Sequence, residues 1–349
     1  MPFTQLTVSG SAKQRGAAVG EALRAKIANN CEFYEQQFYP LGGASVEAVV
    51  TMAAQVEGII SAFRPELSQE IRAMAEAANI DPMRLFALNA RTEILNALNT
   101  QECTSLYAPA KSVLAQTWDW VDALESGTVL IQHQLESGFE FLTLTEAGIL
   151  GKIGFNSGGL GVCLNILSSP HHLSGLPVHI TARAVLETPL FTDIHPLLER
   201  VGAGKASHLL IADDNGSGLS VEWAGQSQHI GTANAGGFCH SNHYIAQSIA
   251  SPPAPAGNSA ERLSNAQSFL AQNPAADAAT VFEFLKTDNE INHDYMPLDH
   301  FHGLNIGTVA TIVMDLPNRA MHIRRGPGSE PRAGADNIYR LGTDNAPLS

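Results

Sequence analysis

Cys103 stands in Gln101-Glu-Cys-Thr-Ser-Leu106, and Gln116-Thr-Trp-Asp-Trp120 follows it. A cysteine thiolate is the strongest common side-chain nucleophile, but a free thiol is mostly protonated at neutral pH. Such a cysteine therefore needs a partner that takes its proton. Asp119 lies sixteen residues further on, with a turn around Pro109–Ser112 between them. That spacing places it on the strand beside Cys103, with Trp118 and Trp120 on the opposite face as core residues. The four cysteines, Cys31, Cys103, Cys163 and Cys239, are scattered with no CxxC, which fits neither a disulfide framework nor a structural zinc site. Cys31, Cys163 and Cys239 are read as ordinary buried thiols. Thirteen histidines include His171-His172 and His300-x-His302. An HxH pair on a strand puts both imidazoles on one face, where they can ligate zinc or copper. No HExxH accompanies them, nor a carboxylate at a diagnostic spacing, so no metal is expected. No GxGxxG leads from a strand into a helix and no P-loop is present, so no nucleotide cofactor is expected either.

The elements that must position these residues change character near residue 100. Before it the pattern is helical. A strand at 3–8 and a helix over 11–29 come first. Val46, Val49, Val50, Ala53, Val56, Ile60 and Phe63 then recur at helical spacing, with Ser45 as N-cap and Arg64-Pro65 as the stop. Leu67, Ile71, Met74 and Ala78 mark a further helix, and Asp81-Pro82 opens another through about Leu98. From Cys103 to Asn165 short β runs alternate with Gly, Ser, Asn and Lys, for example Ser112–Trp120, Thr128–Gln134, Phe139–Leu144 and Leu160–Leu164. Helices are expected at 178–188 and 193–202. Strands follow at His208–Ala212, at Leu219–Trp223 and into His240. Helices at 258–272 and 276–286 come next, then a hairpin from Thr308–Asp315 to Ala320–Arg324. Such alternation suits two sheets stacked between helical layers. Ser251–Gly257 reads as an exposed extended loop, and the tail after Gly326 as loosely held.

The chain has 349 residues, 44% hydrophobic and 15% charged, enough to bury a large core. Its net charge of −14 is uninterrupted by any Lys/Arg cluster, which argues against nucleic acid or an anionic membrane as partner. The first residues have neither a basic n-region nor a long apolar h-region, and no stretch approaches the roughly 20 apolar residues of a bilayer span. A reduced, cytoplasmic setting is expected.

Several fragments together resemble the isopenicillin N acyltransferase family of Ntn hydrolases, more distantly similar to acid ceramidase. They are Gly10-Ser-Ala-Lys-Gln-Arg-Gly16 with Gly20, Glu102-Cys-Thr-Ser105, Gln116-Thr-Trp-Asp-Trp120, Thr145-Glu-Ala-Gly-Ile-Leu-Gly151, Asn156-Ser-Gly-Gly-Leu160, Asn165, Ala206-Ser-His208 and His240-Ser-Asn-His243. Each is weak alone; their shared order over about residues 10–325 carries the resemblance. It implies an α+β fold, the four-layer αββα sandwich. It also implies a precursor that cuts itself between Glu102 and Cys103, leaving a helical small chain of 1–102 and a catalytic large chain of 103–349 in one integrated domain.

On that resemblance Cys103 becomes an N-terminal nucleophile. Its freed α-amino group, of pKa about 7.7–8.0, is a base on the same residue. Asp119 is then the candidate to hold the α-ammonium and Asn242 the candidate oxyanion-hole donor. Ser105, Ser207, His240 and His243 are candidate supporting residues. The family usually has an arginine shortly before its last hairpin. Here Leu298–Asn305 has none; either His300 or His302 takes its place or nothing does. Arg183 and Arg262 fall in helical segments and are read as equally able to form surface pairs. The implied reaction is hydrolysis of an N-acyl amide of a small molecule through an acyl-thioester, without a cofactor. Acyl transfer to an amine from an amide or a coenzyme A thioester is the alternative. A histidine-rich metallohydrolase and a non-catalytic binding protein on the same scaffold are the rivals. The two chains are expected to stay associated, and association of whole copies is left open.

Overall fold

Gly10 ends β1 (Thr4–Gly10) at φ +90, a conformation that suits glycine. Ser11 then caps α1 (Ala12–Ala22) in a reciprocal capping box with Gln14. The helix expected over 11–29 breaks at Leu23 into α1 and α2 (Arg24–Phe33), and helical structure continues through a π turn at Tyr34–Phe38 and α3 (Tyr39–Leu41). Ser45 and Pro65 bound α4 (Val46–Phe63) and α5 (Pro65–Ala78) where the sequence places them. Asp81 accepts from Met83 N and caps α6 (Pro82–Asn89), which ends at Ala90 and gives way to the single turn α7 (Arg91–Ile94). The computed structural model describes residues 2–95, 103–169, 173–233, 236–249, 252–255, 257–297, 303–328 and 336–342. The expected helix end at Leu98 lies outside them.

From Cys103 onward come β2 (Cys103–Ala108), β3 (Val113–Val121), the turn α8 (Asp122–Glu125), β4 (Thr128–Leu135), β5 (Glu140–Glu146), β6 (Ile153–Asn156) and β7 (Gly161–Ile166). Helices α9 (Val178–Leu186) and α10 (Ile194–Val201) precede β8 (Lys205–Ala212), β9 (Gly218–Gly225), β10 (Ser227–Thr232) and β11 (Phe238–His240). Then α11 (Ser259–Gln272) and α12 (Ala278–Thr287) lead to β12 (Met296–Pro297), β13 (Asn305–Asp315), β14 (Ala320–Arg325) and β15 (Asn337–Arg340). Three of these strands were not expected. β10 pairs along β9, the short β12 pairs with β13, and β15 adds an edge to β14, so part of the tail after Gly326 is held in a sheet.

One sheet runs β1-β4-β5-β6-β7-β8-β9-β10, with β1 parallel to β4 and the rest antiparallel. The other runs β11-β2-β3-β13-β14-β15, with β12 on β13. The sheets face each other through β2 and β3 against β7. α9 covers the first sheet, and α1, α2, α4, α5 and α6 pack among themselves around β1; α11 and α12 cover the second. The fold is thus α+β in four layers, αββα, as the resemblance implies. The alternation of strand side chains sorts the second sheet's residues. Tyr107, Leu114, Trp118 and Trp120 join the core between the sheets, whereas Leu106, Ala108, Val113 and Ala115 pack outward on α11 and α12.

Glycine sets how closely the helices approach. A Cβ on Gly16 or Gly20 of α1 would lie 2.2 Å from the carbonyl oxygen of Glu70 or Met74 in α5. Only a bare backbone fits there, which accounts for two glycines of the first motif. α4 corrects one expectation. Its eighteen residues reach a mean hydropathy of 1.4 with 22% of the span buried, the one helix among the described residues long and apolar enough to cross a membrane. Its Ala53, Val56 and Ile60 are buried while Val46 is 80% and Val50 49% exposed, so the buried stripe begins only at Ala53.

Candidate active site

Cys103 is the first residue of β2, paired directly with Trp118 across the strands. Paired residues share a face, so the thiol lies on the inter-sheet side with Trp118. The main-chain groups of Cys103 are held from elsewhere. Its N–H donates to Asn242 Oδ1 at 2.8 Å. Its carbonyl oxygen accepts from Asn165 Nδ2 at 3.0 Å and from Arg262 Nη1 at 2.7 Å. Arg262 Nη1 also reaches Thr104 Oγ1 at 2.9 Å, and Nη2 reaches Asn242 Oδ1 at 2.9 Å. The reading of Arg262 as equally a surface residue is therefore corrected: it is 1% exposed and spans the backbone of Cys103 and the side chain of Asn242. Arg183 is buried as well, paired with Glu70 and Glu187 between the N-terminal helices and the first sheet. No periodic sign marks Arg262, because a buried arginine on a helix looks like a solvated one until its partners are placed.

Asn242 follows β11 in a segment clamped by the start of α11. Ser259 Oγ accepts from Asn242 N at 3.0 Å and lies 2.8 Å from His243 Nδ1. The Asn242 amide nitrogen donates to Ile166 O at 2.9 Å, so in this arrangement it is the oxygen that faces Cys103. Asp119 lies on β3, next to the residue paired with Cys103, but alternation turns it to the outer face. There His293 Nε2 approaches Asp119 Oδ2 at 3.6 Å, and neither carboxylate oxygen has a hydrogen-bond partner among the described residues. Burial acts to lower the His293 pKa, and the Asp119 carboxylate outweighs it, leaving the net shift upward. His293 was not singled out in the sequence.

Behind the nucleophile is a buried polar chain. Ser105 Oγ donates to Asn165 Oδ1 at 2.7 Å, and His208 Nδ1 lies 3.0 Å from the same oxygen. His208 stacks on His240 at 3.6 Å between centroids, and His240 Nε2 lies 2.7 Å from Glu222 Oε1. Burial and then His240 push the His208 pKa well below its ordinary value. Burial would raise Glu222, yet the hydrogen bond and charge of His240, with the N–H groups of Ile245 and Ala246, hold it below. Of the candidates, Ser105 and His240 join this chain and His243 the clamp, while the Ser207 hydroxyl turns back to its own neighbour, Ala206 O. Glu102, His171, His172, His300 and His302 lie outside the described residues. Among those described, no group of three or more His, Cys, Asp or Glu is placed to hold a metal. The other thiols are buried, and burial pushes Cys31 and Cys239 up to about 12 and holds Cys163 well above its ordinary value. An apolar groove of about 280 Å³ between α4 and α6, lined by Tyr39, Val46, Val50 and Met83, includes none of the residues around Cys103.

Comparison with known proteins bears on this arrangement. The family model described as acyl-coenzyme A:6-aminopenicillanic acid acyl-transferase matches residues 107–329, a span that contains Asp119, Asn165, Asn242 and Arg262. The 40 kDa form of acyl-coenzyme A:6-aminopenicillanic-acid-acyltransferase from Emericella nidulans is 25% identical over 247 residues, 69% of each chain. Among solved structures, a variant of conjugated bile acid hydrolase from Clostridium perfringens superposes with a TM-score of 0.52 at 13% identity, covering 70% of this chain and 94% of that one. Penicillin V acylase from Agrobacterium tumefaciens gives 0.47 at 16% identity over 69% and 92%. The family model spans more than half of the residues, and the chain therefore belongs to the acyl-coenzyme A:6-aminopenicillanic acid acyl-transferase family.

Proposed function

We propose that the chain is a precursor that cuts itself before Cys103 and then hydrolyses an N-acyl amide of a small molecule. The observation that carries this reading is the placement of Cys103 at the start of β2, its N–H on Asn242 and its carbonyl on Arg262 and Asn165. Cleavage of the bond before it would leave a free amine already directed at a buried acceptor, next to its own thiol. That amine, of pKa about 7.7–8.0, takes the thiol proton. The thiolate attacks the substrate carbonyl carbon, the C–N bond breaks, and the amine leaves with the proton. Water then attacks the thioester and releases the acid. After the amine forms, the Asn242 amide is the candidate to turn its nitrogen toward the oxyanion, with Arg262 beside it as fixed positive charge. Asp119 with His293 balances charge on the far side of the sheet. The parallel strand β1, from the small chain, pairs along β4 of the large one, and this supports two chains that remain together after cleavage.

Transfer to an amine is the second reading, favoured by the family's acyltransferase members. The test is a burst experiment with a chromogenic N-acyl amide, with and without a competing amine such as hydroxylamine. Stoichiometric amine release, with the acyl group found on Cys103 by mass, supports the thioester route. Diversion of the acyl group to the added amine would favour transfer, and steady release without any acylated protein would refute the route.

A further inference from the structure

Self-cleavage needs a base that the mature residue would supply but the uncut chain lacks. Before cleavage the Cys103 nitrogen is a peptide N–H, engaged with Asn242, and it cannot accept a proton. The group placed for this lies on the inter-sheet face. Lys152 Nζ sits 3.4 Å from the centroid of the Trp118 ring, and Trp118 is the direct cross-strand partner of Cys103. Side chains so paired stand about 4.5–5.5 Å apart at Cβ. Lys152 is 1% exposed, an unusual place for an ammonium.

Its neighbours explain why it is not simply half of an ion pair. Lys152 Nζ lies 3.3 Å from Glu146 Oε1, but Arg91 Nη2 holds the same oxygen at 2.6 Å and Tyr34 OH donates to Oε2 at 2.6 Å. With both cations protonated, Arg91, Lys152 and Glu146 carry one excess positive charge inside the sandwich. Burial pushes Lys152 down to about 7, Arg91 adds to this, and Glu146 and the Cys103 thiol work against it. The other groups that face it keep one state across neutral pH. Glu146 is held below its ordinary value by Arg91 and Lys152 against burial. Burial raises Tyr34 and lowers His179 well away from neutrality, and Arg91 stays a cation. Lys152 is thus the group of this cluster that loses its proton near pH 7.

We propose that the neutral amine of Lys152 accepts the Cys103 thiol proton in the uncut chain and so drives self-cleavage. The proposal rests on the self-cleavage reading above. The proton passes from Sγ to Lys152, and Sγ bonds to the carbonyl carbon of Glu102. The Glu102–Cys103 C–N bond breaks as Lys152 returns the proton to the departing nitrogen. Water then hydrolyses the thioester, restoring the thiol and leaving Glu102 with a new carboxylate.

The test follows precursor made by cell-free translation at low pH, then shifted to a range of pH and quenched for intact mass. Wild type should process with a rate that rises and levels off around a midpoint near 7. Lys152→Met and Lys152→Arg should each slow processing by about 10²-fold or more, and the midpoint should move up toward the thiol's ordinary range of about 8.5. Arginine keeps the charge beside Glu146 but cannot act as a base. Processing of Lys152→Arg at the wild-type rate and midpoint would show a purely structural pairing and overturn the proposal. A wild-type midpoint at about 8.5 or above overturns it whatever the variants do. Wild type that cuts with the midpoint unmoved in both variants sinks this proposal alone, whereas wild type that never cuts sinks the self-cleavage reading with it.

Discussion

Replacing Arg262 with methionine perturbs the geometry around Cys103 without touching the thiol. The guanidinium gives hydrogen bonds to Cys103 O, Thr104 Oγ1 and Asn242 Oδ1, at 2.7, 2.9 and 2.9 Å, and to Asn258 Oδ1 at 2.9 Å. Methionine fills the buried stem and removes all four. Cys103 O keeps Asn165, and Asn242 Oδ1 keeps the Cys103 N–H, so neither acceptor is left bare. Bonds from a charged donor are worth about 1.5–3 kcal/mol, and removing several that share one group is not additive. A stability loss of about 2–4 kcal/mol is expected, read as the shift of the denaturant midpoint. The effect on chemistry should be larger in kind. Asn242 and the Cys103 carbonyl lose the brace that fixes them relative to each other, and a displacement of about 1 Å costs on the order of 10²-fold in rate. Arg262→Lys should recover part of the stability but little of the rate, because one ammonium cannot fork between the two oxygens. Processing and amide turnover are measured per folded molecule, with folded protein counted by circular dichroism. A methionine variant within threefold of the wild-type rate would refute the positioning argument even if its stability fell.

Two further expectations concern the scaffold. Burial raises the Glu93 pKa from 4.5 to about 7, with one oxygen accepting from Val178 N and the other without a hydrogen-bond partner among the described residues. Its folded-state pKa lies above the unfolded value, so its contribution is fully present below about 4.5 and lost as pH rises through about 7. Glu93→Gln should flatten that fall and gain about 1–3 kcal/mol at pH 8 relative to wild type, as urea titrations at several pH values would show; an unchanged slope contradicts the shift. Gly16→Ala should cost about 1–3 kcal/mol or more, because its Cβ would meet Glu70 O in α5. Gly58→Ala, in the middle of α4 with open space around it, should instead stabilise by about 0.5–1 kcal/mol. Thermal melts compare the pair, and equal effects would contradict the α1–α5 packing.

Local signals carried much of the fold. Ser45, Asp81 and Pro65 set helix ends through hydrogen bonds or ring geometry made within a few residues, and the first and last residues of α4 follow from them. The hairpin spacing placed Asp119 beside Cys103 for the same reason. What escaped was decided by contacts far apart in the chain. Leu23 breaks a continuous helical pattern at the junction of α1, packed along α5, with α2, and β15 forms because β14 offers it an edge. At the site, Arg262 lies 159 positions from Cys103, and no spacing rule reaches that far. Lys152 and Glu146 lay within a motif of the resemblance or beside it, yet their charge is unusual only because both sheets close over them. Alternation alone turns Asp119 away from Trp118 and Trp120, but that the Cys103 thiol shares the tryptophans' face follows from pairing register, which local spacing does not carry.

The most direct test of the central claim is intact mass and N-terminal sequencing of the purified protein beside a Cys103→Ala variant. Wild type should yield two chains, the larger beginning at Cys103, while the variant stays whole. A wild type that remains a single chain, or a variant that is cut at the same bond, would contradict it.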